Sequence, residues 1–310
     1  MTGVGGFIGS EVARRCLADG YEVVGVDDFS SGREDRVPAG LELIRADLAE
    51  KASVRLLPRD CHAIMHLAGQ ASGELSFLDS VGDLERNVVS TLNLIDFGVK
   101  NGLEKILYAS SMGVYGATED HPVAEDHVCV PISPYGVGKL AAERYLWTYR
   151  DSIEAVALRM FNVYGPGQDL RNLRQGMVSI YVAQAVSHGV VEVRGSTDRF
   201  RDFVFIDDVV EVWSRAIRSE AVVGRAVNVG TGVRTSVLDL LDELKSCVPG
   251  VEIRLSDGTP GDQYGIFADI GMLQECLGPI EFTSLREGIG RFVEWANSGE
   301  PQLGGIAIRE

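Results

Sequence analysis

The sequence predicts an α/β protein, doubly wound around a parallel sheet, on three observations. The first 165 residues alternate short β-branched runs with amphipathic stretches. A glycine-rich turn, Thr2-Gly3-Val4-Gly5-Gly6-Phe7-Ile8-Gly9, leads straight into a helical pattern. The runs VVGV and AIMHLA are apolar throughout, as strands covered on both faces must be.

In chain order, residues 21–28, 41–48, 63–69, 105–111 and 154–165 read as strands. Residues 10–20, 83–102 and 134–151 between them carry helical spacing. Such alternation implies parallel strands joined by right-handed crossovers. After Pro166 the pattern loosens. It offers a helix at 177–189, a strand at 190–195, a strand end and helix over 203–218 and a strand at 226–232. Helices follow near 236–247 and 284–298.

Composition narrows the partners. The chain has 310 residues, 45% of them hydrophobic, enough for one large core or two modest ones. A net charge of -16 repels nucleic acid and anionic membranes, so neither is expected as a partner. An anionic substrate would need local arginines against that field. Cys16, Cys61, Cys129, Cys247 and Cys276 are scattered without a CxxC pair and read as buried thiols in a reducing compartment. No apolar run reaches the roughly 18 residues of a membrane span, and no secretory signal is visible, so the expected location is cytoplasmic. His66 lies in an apolar strand and reads as a core or cofactor-lining residue, so no metal is expected.

Gly3, Gly6 and Gly9 have the spacing of a dinucleotide-binding turn. One glycine permits the tight turn, another lets a pyrophosphate reach the backbone, and a third lets the helix pack close. A diphosphate there would meet free amides and the positive helix end at Phe7 and Ile8. Asp27 ends the next strand, about 20 residues on, where a carboxylate can accept from ribose hydroxyls. With Asp28 it favours NAD over NADP, whose 2′-phosphate both would repel; Arg33 weakens that preference slightly. The expected architecture is a Rossmann-type doubly wound parallel sheet formed by 1–165, to which 203–232 return. A smaller α/β C-terminal substrate lobe is expected from 166–202 and 233–310. Such a turn follows a central strand, yet only Met1 precedes it. The expectation is therefore a sequence read from an internal start, with its first strand missing, rather than a fold built without its middle strand.

Tyr135 and Lys139 stand four apart, on one face of a helix. A nearby ammonium lowers a phenol's pKa from about 10 toward working pH. Such a tyrosine can take a proton from a sugar hydroxyl as hydride leaves the same carbon. Ser111 ends a strand 24 residues earlier, at the sheet edge where ligands bind, and can hold the same oxygen as it becomes a carbonyl.

With these features in place, TGVGGFIG, Asp27, HLAGQAS, SSMGVYG, SPYGVGK, LRMFNVYGPGQ, FRDFVFIDDVV and NVGTG together resemble the extended short-chain dehydrogenase/reductases that modify nucleotide sugars. The resemblance runs from residue 2 to about residue 300. It implies Ser111, Tyr135 and Lys139 as catalytic residues, with Lys139 also bonding the nicotinamide ribose. It places Asp47 and Leu48 beside adenine, and Leu67, Ala68, Gly69 and Asn87 along the cofactor. It gives Asn162, Arg201, Val193 and Asp262 to the nucleotide-sugar substrate, with Arg201 suited to pair with its diphosphate. It also implies a homodimer through helices near 80–100 and 134–150.

Two departures shape the expected reaction. Thr259 stands where relatives carry an arginine before PGD, leaving Arg171, Arg174 or Arg234 to compensate. Met112 and Gly113 stand where dehydratases and decarboxylases place an acid. The expected activity is therefore NAD-dependent 4-epimerisation of a UDP-hexose. A reductase, decarboxylase or dehydratase on the same scaffold, and a non-catalytic NAD-binding protein, remain as alternatives.

Overall fold

Residues 1–174, 176–256 and 264–299 are described in the computed structural model of the chain. The first half contains α1 (Phe7–Ala18), β1 (Val24–Asp27), β2 (Glu42–Arg45), β3 (Ala63–His66), α2 (Gly73–Leu78), α3 (Ser80–Leu84), α4 (Ser90–Asn101), β4 (Lys105–Ser111), α5 (Pro134–Thr148) and β5 (Glu154–Met160). The second contains β6 (Asn162–Tyr164), α6 (Met177–His188), β7 (Val190–Arg194), β8 (Phe200–Arg201), β9 (Phe203–Phe205), α7 (Ile206–Ala216), β10 (Ala226–Val229), β11 (Thr235–Ser236), α8 (Val237–Cys247), β12 (Glu252–Ser256), α9 (Gly271–Leu277) and α10 (Leu285–Asn297).

The main sheet is parallel. β3, β4, β5 and β10 run side by side, and β1 pairs with β2. The backbone of Met1–Gly3 lies between the two groups. Thr2 N–H donates to the Met65 carbonyl at 2.9 Å, and Val26 N–H donates to the Met1 carbonyl at 2.8 Å. Thr2 thereby bridges β1 and β3. Below this bridge the strands part around a cavity of about 580 Å³ lined by apolar side chains including Val24, Ile64, Met65 and Leu94.

Period-two alternation in β4 explains its burial on both faces. Leu107 and Ala109 enter the larger core, which continues through Val156, Leu158, Trp213, Val227, Leu240 and Phe292. Ile106 and Tyr108 enter the opposite core with Leu94, Ile95 and Leu146. Each of the valine, leucine, isoleucine and phenylalanine side chains among these contributes about 1.5–3 kcal/mol when fully buried. In the later half, β7 pairs in parallel with β12, and α6, α8 and α10 pack into the larger core.

Several boundaries differ from the sequence expectation. α1 starts at Phe7 rather than Ser10, because the turn itself supplies the first three helical residues, Phe7, Ile8 and Gly9. The segment expected as a helix over 83–102 begins at Ser80 and contains a π-helical turn, Glu85–Val89. Helix α2, strand β12 and helix α9 were not anticipated, being short or, in β12, mostly exposed.

Candidate active site

The cofactor cleft follows from the first turn. Gly3 has φ +74°, and a Cβ there would meet Ala68 N at 2.7 Å. A Cβ on Gly9 would stand 1.9 Å from the Gly3 carbonyl oxygen. Both positions therefore demand glycine. Gly6 is the N-cap of α1, so no cap side chain closes its amides. The cleft beside this turn measures about 400 Å³ and is lined by Gly3, Gly6, Asp27, Asp28, Asp47, Leu48, Leu67, Ala68 and Gly69. Phe7, Ile8 and Gly9 form the helical turn beyond its rim.

Asp27 is buried at the cleft, and its carboxylate accepts from Gly5 N–H and Phe29 N–H, each at 2.8 Å. Burial pushes its pKa up while these two bonds pull it back. Asp28 is exposed and accepts from the Ser30 amide and hydroxyl. Asp47 holds the Ala49 amide at 2.8 Å. Arg33 is turned to Asp35 and lines a separate surface pocket with Arg14 and Arg36. The two carboxylates at the end of β1 thus face the cleft without Arg33 beside them.

A hydrogen-bonded chain ties the turn to α4. Thr2 Oγ1 accepts from Ala68 N–H at 3.0 Å and lies 2.8 Å from His66 Nδ1. His66 Nε2 lies 3.1 Å from Thr91 Oγ1, which donates to the Asn87 carbonyl at 2.8 Å. Each hydroxyl has one proton, so the directions are determined. Thr91 accepts from His66 Nε2–H, and Thr2 donates to Nδ1. His66 is therefore neutral, and burial, then Lys139, push its pKa down to about 3.

The catalytic candidates converge at the carboxyl end of β4. Ser133 caps α5 by accepting from Gly136 N–H, and Pro134 starts the helix. That orientation brings Tyr135 into hydrogen-bonding contact with Ser111. A Cβ on Gly113 would lie 3.4 Å from Ser111 Oγ and 3.5 Å from the Tyr135 ring, so the glycine leaves room between them. Lys139 is buried and donates to the Ala109 carbonyl at 3.0 Å. Its Nζ stands 5.7 Å from the Tyr135 ring centre and 5.0 Å from that of Tyr108. Burial pulls Lys139 down to about 8, against the upward pull of Asp83 and Glu143. Burial pushes Tyr135 up to about 12, with the Ser111 bond opposing it.

NAD can be tested against these residues. Asn87 Oδ1 is buried without a hydrogen-bond partner among the described residues, and a Cβ on Gly69 would lie 2.5 Å from it. A buried acceptor without a donor calls for a ligand group there. Together with the bare turn and the Asp27 carboxylate, it fits a dinucleotide laid from β1 to Lys139.

On the substrate side, Asn162 Nδ2 donates to the Asp202 carbonyl at 3.0 Å and reaches Met112 Sδ at 3.5 Å. Arg201 is buried and donates to the Phe200 and Tyr264 carbonyls; burial lowers it to about 10. Arg199, also buried and two residues away on the chain, was missed. Val193 is fully buried in the larger core rather than on an open wall. Asp262 and Thr259 lie outside the described residues. Arg171 pairs with Asp169, and Arg234 pairs with Asp120 over the Phe200 ring. The sequence reading also missed Asp83, and Glu143, whose carboxylate takes Ser110 Oγ–H and Arg159 inside the protein.

Comparison with known proteins agrees with this geometry. The NAD dependent epimerase/dehydratase family matches residues 1–230. A UDP-glucose 4-epimerase of Mycolicibacterium smegmatis is 36% identical over 305 residues, covering 95% of this chain and 97% of that protein. The structure of a Thermotoga maritima UDP-glucose 4-epimerase with UDP-glucose has a TM-score of 0.90 at 31% identity, covering 95% of this chain and 97% of the other. That of a Thermus thermophilus UDP-glucose 4-epimerase complexed with NAD has a TM-score of 0.86 at 30% identity, covering 96% and 98%. The chain belongs to the NAD-dependent epimerase/dehydratase family, and NAD is its cofactor.

Proposed function

We propose that the chain is a nucleotide-sugar 4-epimerase that inverts C4 of a UDP-hexose through a transient 4-keto sugar. One observation carries the reading. Ser111, Tyr135 and Lys139 converge at one point, while the position after Ser111 is a methionine whose sulfur meets Asn162. Proton abstraction from a hydroxyl is provided for, and the two residues after Ser111, Met112 and Gly113, carry no carboxylic acid for water elimination.

NAD, when bound along the cleft lined by Gly3, Gly6 and Asp27, would supply the acceptor and donor of the C4 hydride. Tyr135 takes the 4-hydroxyl proton and later gives it back. A phenol held near 12 must be brought down to act as a base at neutral pH. The Lys139 ammonium does this electrostatically, helped by the Ser111 bond. Ser111 then donates to the new carbonyl oxygen. Asn162 and Arg201 are assigned to the substrate diphosphate, and Asp27 to the adenosine ribose. The supporting geometry is the bare α1 turn, the orphaned Asn87 Oδ1 and the buried arginine on β8.

The test is to incubate purified protein with UDP-glucose, UDP-N-acetylglucosamine and UDP-glucuronate, following C4 by NMR and NADH by absorbance. Inversion without net NADH supports the reading. Net NADH change or evolved carbon dioxide identifies a reductase or decarboxylase instead.

The assembly proposed is a cytoplasmic homodimer. Phe77, Leu78 and Val81 are 64%, 72% and 68% exposed on α2 and α3, beside Leu84 and Val137 on the α3–α5 face. Light scattering after gel filtration should give twice the chain mass; a monomer at micromolar concentration overturns this.

A further inference from the structure

Asp83 lies in α3, one residue before its end at Leu84, and is 1% exposed. A buried carboxylate needs donors and a cation. Its Oδ1 accepts from Asn87 Nδ2 at 3.2 Å, one helical turn on. Its Oδ2 faces α5: a Cβ on Gly138 would lie 3.4 Å from it. Gly138 directly precedes Lys139. Burial raises the Asp83 carboxyl, with the Asn87 bond and Lys139 drawing it back.

The Asn87 bond has a geometric consequence. A carboxylate accepts, so Nδ2 must face Asp83 and Oδ1 must point the other way. The hypothetical Cβ of Gly69 lies 2.5 Å from Asn87 Oδ1 and 3.4 Å from Lys139 Nζ, so both groups point to one spot at the cleft floor. The π-helical turn Glu85–Val89 contains Asn87, and single π turns recur at functional sites.

We propose that Asp83 is a positioning residue of the reaction: it aims the Asn87 carbonyl oxygen at the cofactor and supplies the negative charge opposite Lys139. This rests on the 4-epimerase reading for its kinetic consequence only. The other groups facing Lys139 are Glu143 and Tyr135 on α5, Tyr108 on β4 and neutral His66 on β3. Glu143 is committed to Arg159 and Ser110. Arg86 and Asp79, which also act on Asp83, are tied to each other. Asp83 is thus the one of the two acidic partners of Lys139 that has no arginine bonded to it among the described residues.

The sign is fixed by the geometry. Asp83 raises both Lys139 and Tyr135. In Asp83→Asn both lose that pull. The acid limb of kcat/KM, set by phenolate formation, moves to lower pH, and so does the alkaline limb, set by loss of the ammonium. The whole bell shifts down by about one pH unit. Asp83→Glu keeps the charge and leaves the bell in place while kcat falls. A readout independent of turnover is the Lys139 Cε resonance in protein carrying ¹³C-lysine, assigned with Lys139→Met. Its titration midpoint falls by about one pH unit in Asp83→Asn, whether or not any sugar is epimerised. If Asp83→Asn does not fold, Asp83→Thr, also uncharged, is read the same way. An unmoved Lys139 midpoint overturns the proposal. A shifted midpoint with no C4 inversion by the unmodified protein supports it and rejects the epimerase reading instead.

Discussion

The Arg159 guanidinium meets both carboxylate oxygens of Glu143, at 3.0 and 2.8 Å, with side chains only 5% and 0% exposed. The pair joins β5 to α5 directly behind Lys139, and Arg159 also reaches the Tyr115 hydroxyl and the Glu125 carbonyl. Removing one partner of a buried pair leaves an uncompensated charge. Glu143→Ala should therefore lose about 3–5 kcal/mol of unfolding free energy in urea. A loss below 1 kcal/mol would show that Arg159 finds another anion.

Tyr135→Phe keeps the ring and deletes only the hydroxyl. Turnover should fall by about 10²–10⁴-fold while NAD binding stays within a few-fold. Lys139→Met should cost turnover and also weaken NAD, since the same side chain is assigned to the nicotinamide ribose. Equal retention of activity in both variants would remove these residues from the chemistry.

How much of this was legible follows from the kind of signal each residue gives. Tyr135 and Lys139 announce themselves by i, i+4 spacing, and Gly3 and Gly9 by a pattern that only close backbone approach requires. Asp83 and Glu143 sit in helices that also carry exposed polar residues such as Ser80 and Arg144, so a single letter does not reveal that they are buried. Their role depends on which face α3 and α5 present to each other. Arg199 was hidden because it precedes β8, where no strand pattern marks it as sharing the buried side of Arg201. The π turn at Asn87 has no residue-type signature, so nothing in the sequence announces it.

His66 gives a pH test of the fold. Unfolded, it titrates near 6.5; folded, burial holds it at about 3. As pH falls below 6.5 the unfolded chain gains a proton that the folded chain refuses. The stability this group contributes is intact above 6.5 and declines by about 1.4 kcal/mol per pH unit below it. His66→Asn should show a shallower loss of unfolding free energy between pH 6.5 and 5. Parallel slopes would mean that His66 charges freely in the native state.

Gly9→Ala places a methyl 1.9 Å from the Gly3 carbonyl oxygen. The backbone must part, opening the turn that the diphosphate should occupy. Stability should fall by about 1–3 kcal/mol, and NAD affinity, measured by calorimetry, should fall more than tenfold. Ala at Gly20, which has open space but φ +87°, should leave NAD affinity unchanged. Equal effects at the two positions would point to general destabilisation rather than to the turn.

The most direct measurement uses UDP-glucose carrying deuterium at C4. In the proposed cycle the same hydride leaves C4 and returns to it while Tyr135 holds the proton. The epimerised sugar should therefore keep its deuterium at C4, in ordinary water and without added reductant. Loss of the label to solvent, or no C4 inversion of any nucleotide sugar offered, would contradict the account.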